Sequence, residues 1–115
     1  MVGARVIPPH RQDPALQEEA QIAAAIVRGI RNGENDAETR LVERYSNGLR
    51  FLLLRRVRDD ERADDLLQDT LYIAISKLRE IDLDSPERLA GYLRGIAVRV
   101  ALNAGRRQQR EPYAM

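Results

Sequence analysis

Cysteine and tryptophan are absent from this chain, and histidine and phenylalanine occur once each. Without cysteine there is no disulfide, no thiolate metal ligand and no thiol nucleophile. The single histidine, His10, lies among prolines near the N-terminus. Nucleophile–base pairs of the Ser–His or Cys–His kind therefore cannot be assembled. There is no glycine-rich phosphate loop of the P-loop or dinucleotide-binding kind. No apolar run approaches the roughly 20 residues that cross a bilayer, and the first residues lack the apolar core of a signal peptide. These absences lead us to expect a cytoplasmic protein that is not an enzyme and carries no cofactor or metal. With one Phe and four Tyr, the core must rest on Leu, Ile, Val and Ala, which suits helix packing. Net charge is only +1, so any affinity for nucleic acid must come from local clustering.

What is present is helical periodicity in a chain of one-domain size, 115 residues. Residues 1–12, with two prolines, read as a flexible leader. Asp13-Pro14 predicts a helix start, with Asp as N-cap and Pro at the first helical position. Ile22, Ala25, Ile26, Gly29 and Ile30 supply its apolar stripe, and Asn32-Gly33 its stop. A second helix follows, with Asn35 and Glu38 spaced as a capping box. Leu41, Val42, Tyr45, Leu49, Leu52 and Leu53 recur along it to about Val57. A third starts near Asp59-Asp60, with Ala63, Leu66, Leu67, Thr70, Leu71, Ala74, Ile75 and Leu78 on one face, and ends near Arg79 to Ile81. After a loop at residues 80–85, Ser85-Pro86 restarts a helix by the same cap-and-proline logic. Leu89, Leu93, Ile96, Ala97, Val100 and Ala104 form its buried face; it frays near Arg107 to Arg110 and closes at Pro112. No segment alternates like a strand. The expectation is an all-α fold, a compact bundle of four helices without a sheet, over residues 13–111, with a tail at 112–115.

The fourth helix has a second pattern. At about 100° per residue, Arg88, Tyr92, Gly95, Arg99, Asn103, Arg106 and Arg110 fall in one narrow sector, away from the buried stripe. Arg offers a planar fork that matches phosphate oxygens. Tyr can stack on an unpaired base and Asn can bond base edges. The ridge is either a nucleic-acid surface or a solvated basic face. Gly91 and Gly95 are costly in mid-helix; either they pack against another helix or they let a ligand approach the backbone.

Asp59 to Asp69 forms an acidic stretch with three readings. Asp60, Glu61 and Asp64 resemble a helical carboxylate set for a divalent cation, as in a small metal-dependent nucleotide hydrolase, with Glu34, Glu38 and Glu43 as facing candidates. Asp59 to Asp64 also suit the positive end of a helix dipole with no further role. Asp65, Gln68 and Asp69 lie beyond the first turn, where capping does not explain them, and could dock a basic helical partner.

The order of these features resembles region 2 of bacterial sigma-70 factors of the extracytoplasmic-function type. Asp64-Asp65-Leu66-Leu67-Gln68-Asp69-Thr70 is similar to the acidic-Asp-Leu-Val-Gln-Glu-Thr signature of region 2.2. Residues 32–37 and Leu41-Val42-Glu43-Arg44-Tyr45 resemble the end of the family's first helix and its region 2.1 helix. Leu89-Ala90-Gly91-Tyr92-Leu93-Arg94-Gly95-Ile96-Ala97 is similar to the Phe-x-x-Trp-Leu-x-x-Ile-Ala stretch of regions 2.3 and 2.4. Arg106-Arg107-Gln108-Gln109-Arg110 matches its basic end. The resemblance spans about residues 20 to 110.

The resemblance implies two sets of contacts. Asp65, Gln68 and Asp69, with Leu66, would dock on the coiled coil of the largest RNA polymerase subunit. Arg88, Tyr92, Arg99, Asn103, Arg106, Arg107 and Arg110 would hold the −10 promoter element, chiefly its melted non-template strand, with one base flipped into a pocket of the loop Ile81 to Pro86. An anti-sigma factor is a further partner of the family; no membrane is implied, and a monomer suffices. Tyr92 stands where Trp is usual, and Arg99 and Asn103 where Asn and Asp are common, so base preference is expected to differ. The −35-reading helix-turn-helix domain of the family is not expected within this chain. The alternative within the same resemblance is a regulatory module that binds polymerase or an anti-sigma factor without melting promoters.

Overall fold

A computed structural model of the chain describes residues 13–110, with the side chains of 108–110 excepted. Four helices form the described part: α1 (Pro14–Arg31), α2 (Asn35–Val57), α3 (Asp60–Glu80) and α4 (Leu89–Arg110), with a 3-10 turn at Pro86–Arg88 before α4. The described residues contain no strand. The expected leader at 1–12, the tail and the closing role of Pro112 lie outside them. No described helix is long and apolar enough to cross a membrane.

Local chemistry sets most helix ends. The Asp13 side chain accepts from the Ala15 N–H at 2.9 Å, with Pro14 opening α1. Gly33, at φ +78°, makes the turn out of α1, a left-handed conformation that glycine adopts without strain. Asp59 caps α3 by accepting from the Arg62 N–H at 3.2 Å. Two expected caps fail. Glu34, not Asn35, is the N-cap of α2, with no side-chain bond, so the Asn35–Glu38 capping box does not form. Glu38 is instead drawn across to Arg79 on α3. Ser85 makes no side-chain cap either, and the chain passes through the 3-10 turn before α4 begins at Leu89.

The helices pack around one core. α1 contributes Ala23, Ile26 and Ile30; α2 Ala37, Leu41 and Leu53; α3 Ala63, Thr70, Ala74 and Leu78; α4 Leu89, Leu93 and Ala97. On α3 the buried positions Leu66, Thr70, Ala74 and Leu78 fall every fourth residue, a seam wound slowly round the helix. Thr70 is the one buried polar side chain among them, and its hydroxyl donates to its own helix at the Leu66 carbonyl, 2.8 Å. Leu67, Leu71, Ile75, Val100 and Ala104 sit half-buried at the edge of this core. Gly29 marks the closest approach: a Cβ there would lie 2.7 Å from the Ala37 Cβ.

Ion pairs join the elements at the surface. Arg44 on α2 donates through Nε to Glu19 on α1 at 3.1 Å. Arg50 on α2 holds Asp64 at 2.6 Å and Asp60 at 3.3 Å on α3. Arg31, at the end of α1, donates to Asp82 in the α3–α4 loop. That pairing and the packing of α1 on the 3-10 turn fix the loop relative to the bundle.

Candidate nucleic-acid and polymerase surfaces

The solvent side of α4 carries most of the expected ridge, while Arg88, expected on the same helix, stands on the 3-10 turn that precedes it. Arg88, Gly95, Arg99, Asn103 and Arg106 are all exposed, and Tyr92 is half-buried. Arg99, Asn103 and Arg106 line one shallow groove together with Gly95, Val98 and Leu102. Leu102 is an exposed apolar residue within that groove, a contact the helical wheel did not single out. Arg107 is exposed but lies off the groove, and the side chain of Arg110 is outside the described residues.

Arg88 and Tyr92 belong to a second recess of about 530 Å³, at the other end of the ridge. Its remaining walls are Asp82, Leu83, Asp84 and Ser85 from the loop, with Gly91 from α4. Partial burial pushes the Tyr92 hydroxyl pKa upward, while the nearby Arg99 charge pulls it down. The tyrosine thus stays neutral and sits within electrostatic reach of the ridge. Gly95 has open space where a Cβ would stand, and at Gly91 the nearest atom is Arg94 Nη2, 3.7 Å away on the same helix. Neither glycine is explained by helix–helix packing, which leaves a backbone open to close approach.

On α3, Asp65, Gln68 and Asp69 are exposed on one face. Leu66 is not part of that surface: at 7% exposure it points into the core, as its place in the buried α3 seam requires. It lies beneath the exposed Asp65–Gln68–Asp69 face and is not part of it, contrary to the expectation that grouped the four. Tyr72, 75% exposed, extends the face by one turn. Sequence reasoning missed it, although its spacing of seven from Asp65 places it on the same side of the helix.

The divalent-cation reading of the acidic stretch fails on geometry. Asp60 and Asp64 already face the guanidinium of Arg50, whose own pKa is raised by those carboxylates, Asp64 first. Glu38 is taken by Arg79, and Glu34 lies beside Arg40. Among the described residues, no group of three or more candidate ligands could hold a metal ion.

A further basic patch had no place in the sequence reading. Phe51 on α2 is 63% exposed, with the Arg55 guanidinium 5.8 Å from its ring centre. It lines a recess with Arg56 and with Arg94 of α4. The signal was present, since Phe51 falls off the stripe set by Leu49, Leu52 and Leu53.

The family model of sigma-70 region 2 matches residues 41–111, more than half of the chain. The chain belongs to the sigma-70 region 2 family. That family serves sigma factors in binding RNA polymerase and recognising promoters. The match takes in most of α2, all of α3, the loop and α4. It begins at Leu41, later than the resemblance read from about residue 20. No curated protein and no solved structure matches the chain.

Proposed function

We propose that this domain is region 2 of an extracytoplasmic-function sigma factor. In this reading the α3 face Asp65–Gln68–Asp69, with Tyr72, docks on the coiled coil of the largest polymerase subunit. The α4 ridge and the α3–α4 loop capture the non-template strand of the −10 element as it opens. The domain acts by binding alone, as a cytoplasmic monomer spanning residues 13–111, and an anti-sigma factor competes for one of its surfaces.

The observation that carries this reading is the separation of two surfaces. An acidic face lies on α3, and a basic groove with an aromatic recess runs along the outer side of α4. One protein can then hold polymerase and strand at once. A surface that stabilises only the open strand shifts the closed–open equilibrium toward melting, because its affinity for the two states differs. Arg99 and Arg106 offer phosphate contacts, Tyr92 a stacking ring, and Asn103 a polar group for base edges.

Two measurements test this reading. Gln68→Ala and Asp65→Ala should weaken binding to the polymerase core while leaving the fold intact. A −10-type single strand should bind with affinity that falls as salt rises, and Arg99→Ala or Arg106→Ala should each flatten the log–log slope by about 0.7. Polymerase binding without any strand binding at low salt would instead identify a regulatory module.

A further inference from the structure

Three arginines stand around an apolar surface with no acid to answer them. Gly48, Phe51, Leu52, Arg55 and Arg56 of α2 line a recess of about 520 Å³, and Arg94 of α4 completes its wall. No carboxylate lines it. Among the described residues Arg55, Arg56 and Arg94 make no ion pair, whereas Arg31, Arg40, Arg44, Arg50 and Arg79 all do. Phe51 is 63% exposed and Leu52 half-buried. Aromatic side chains and arginine are what protein interfaces concentrate. Gly48 is a second, separate observation. It lies inside α2, where glycine weakens a helix relative to alanine. Nothing stands within 4 Å of the place its Cβ would take, so no packing inside the domain calls for it. Its bare backbone lets an outside element come close.

The five α2 residues fall at i, i+3, i+4, i+7 and i+8 from Gly48, one stripe about 12 Å long. A stripe of that period, small at one end and rimmed by charge, is the counterpart of another helix laid along it. The cations set the sign of that helix, which must carry acids beside its apolar face. A nucleic-acid strand fits less well. The Arg55 guanidinium already lies over the Phe51 ring, 5.8 Å from its centre, where a base would stack. We propose that this recess is a third docking surface, and that its partner is a protein presenting an acidic amphipathic helix. It shares no residue with the α3 face or the α4 groove. Such a partner rides on the domain while both of those are occupied, unlike a competitor for either.

The probe is a fluorescein-labelled peptide of Ala, Leu and Glu, about 18 residues long so that it stays helical. Leu runs along one face with Glu on both sides; the control peptide has Lys in place of every Glu. Anisotropy titrations on the full chain should show saturable binding of the acidic peptide and none of the basic one. Phe51→Ala should weaken it about tenfold and Arg94→Ala about fivefold. Gly48→Leu, which fills the point of close approach, should abolish it. Thermal unfolding temperatures should not fall, since all three positions are exposed. Arg99→Ala and Arg106→Ala should leave peptide binding unchanged, and neither a −10-type single strand nor polymerase core should displace the peptide. Failure of the acidic peptide to bind would overturn the proposal. So would equal losses in the ridge variants, or no loss in Phe51→Ala and Gly48→Leu, since binding would then follow charge alone. If Phe51→Ala and Arg94→Ala weaken the single strand instead, the recess belongs to the strand path. If polymerase core displaces the peptide, it belongs to the polymerase interface. Either result ends the claim to a third partner.

Discussion

The Tyr45 hydroxyl donates to Glu19 Oε2 at 2.9 Å, and the other oxygen of that carboxylate accepts from Arg44. One acid on α1 thereby holds two neighbouring side chains of α2. The Arg44 hydrogen bond lowers the Glu19 pKa below 4.5 against the opposing effect of burial. Burial, with the Glu19 contact, raises Tyr45 from 10.0 to about 12. The signs predict two limits. Glu19 contributes stability above pH 4.5, which is lost as pH falls through its lowered folded value. Tyr45 contributes fully below pH 10, and its share is lost between 10 and about 12. Thermal melts across pH should show both flanks. Tyr45→Phe should cost about 1 kcal/mol at neutral pH and remove the contribution of this side chain to the alkaline flank.

Two glycines should respond in opposite ways to one methyl group. At Gly29 a Cβ would stand 2.7 Å from the Ala37 Cβ, and both belong to packed helices that cannot easily part. Gly29→Ala should therefore destabilise by about 1–3 kcal/mol, despite alanine's better helix propensity. At Gly95 the space is open, so Gly95→Ala should stabilise by about 0.5–1 kcal/mol. If Gly95 serves close approach of a strand, the same substitution should weaken single-strand binding while raising Tm. A gain in Tm with unchanged binding would leave the glycine without that role.

Much of this fold is legible in sequence because period 3.6 and strong punctuation agree. Asp13-Pro14, Asn32-Gly33 and Asp59 each act through a local hydrogen bond or φ preference, and each sits where expected. The α2 start was misread because Glu38 had a competing partner, Arg79, 41 residues away. Only the tertiary fold reveals such a competitor. The same limit applies to the site. The ridge of Arg99, Asn103 and Arg106 follows from one helix's periodicity and is exposed, whereas Arg88, which that periodicity also put on the helix, lies exposed on the 3-10 turn before it. The recess with Asp84 and the Phe51–Arg94 patch need residues from separate elements, so no spacing within one helix could announce them.

Arg58 holds a conformation that suits it poorly. It follows α2 at φ 56°, ψ 36°, the left-handed region, where its N–H donates to the Leu54 carbonyl at 2.8 Å. Most helices that end this way use glycine, since a Cβ there is strained by about 1–2 kcal/mol. Arg58→Gly keeps the backbone bond and removes the strain. It should raise stability by about 0.5–1 kcal/mol, allowing for glycine's greater freedom in the unfolded chain. Chemical denaturation with an unchanged m value would check this; a drop in stability would mean that the arginine side chain makes a contact worth more than the strain.

In the proposed reading the motif Asp65-Leu66-Leu67-Gln68-Asp69 mixes two jobs, core packing and docking, that substitution can separate. Leu66 is buried, whereas Asp65, Gln68 and Asp69 are exposed, with Tyr72 one turn further along. Leu66→Ala removes methyl groups from a packed seam and should cost about 2–5 kcal/mol of stability. Its polymerase affinity, measured well below its midpoint, should stay close to wild type. Gln68→Ala and Tyr72→Ala should do the reverse, with Tm nearly unchanged and polymerase binding reduced several-fold or more, most for the aromatic if it sits centrally in the interface. Calorimetric melts paired with surface-plasmon titration of polymerase core separate the two classes. Loss of affinity in Leu66→Ala with its fold intact would mean that the docking face reaches around α3 into what is here the core, and Tyr72 would then have no claim to it.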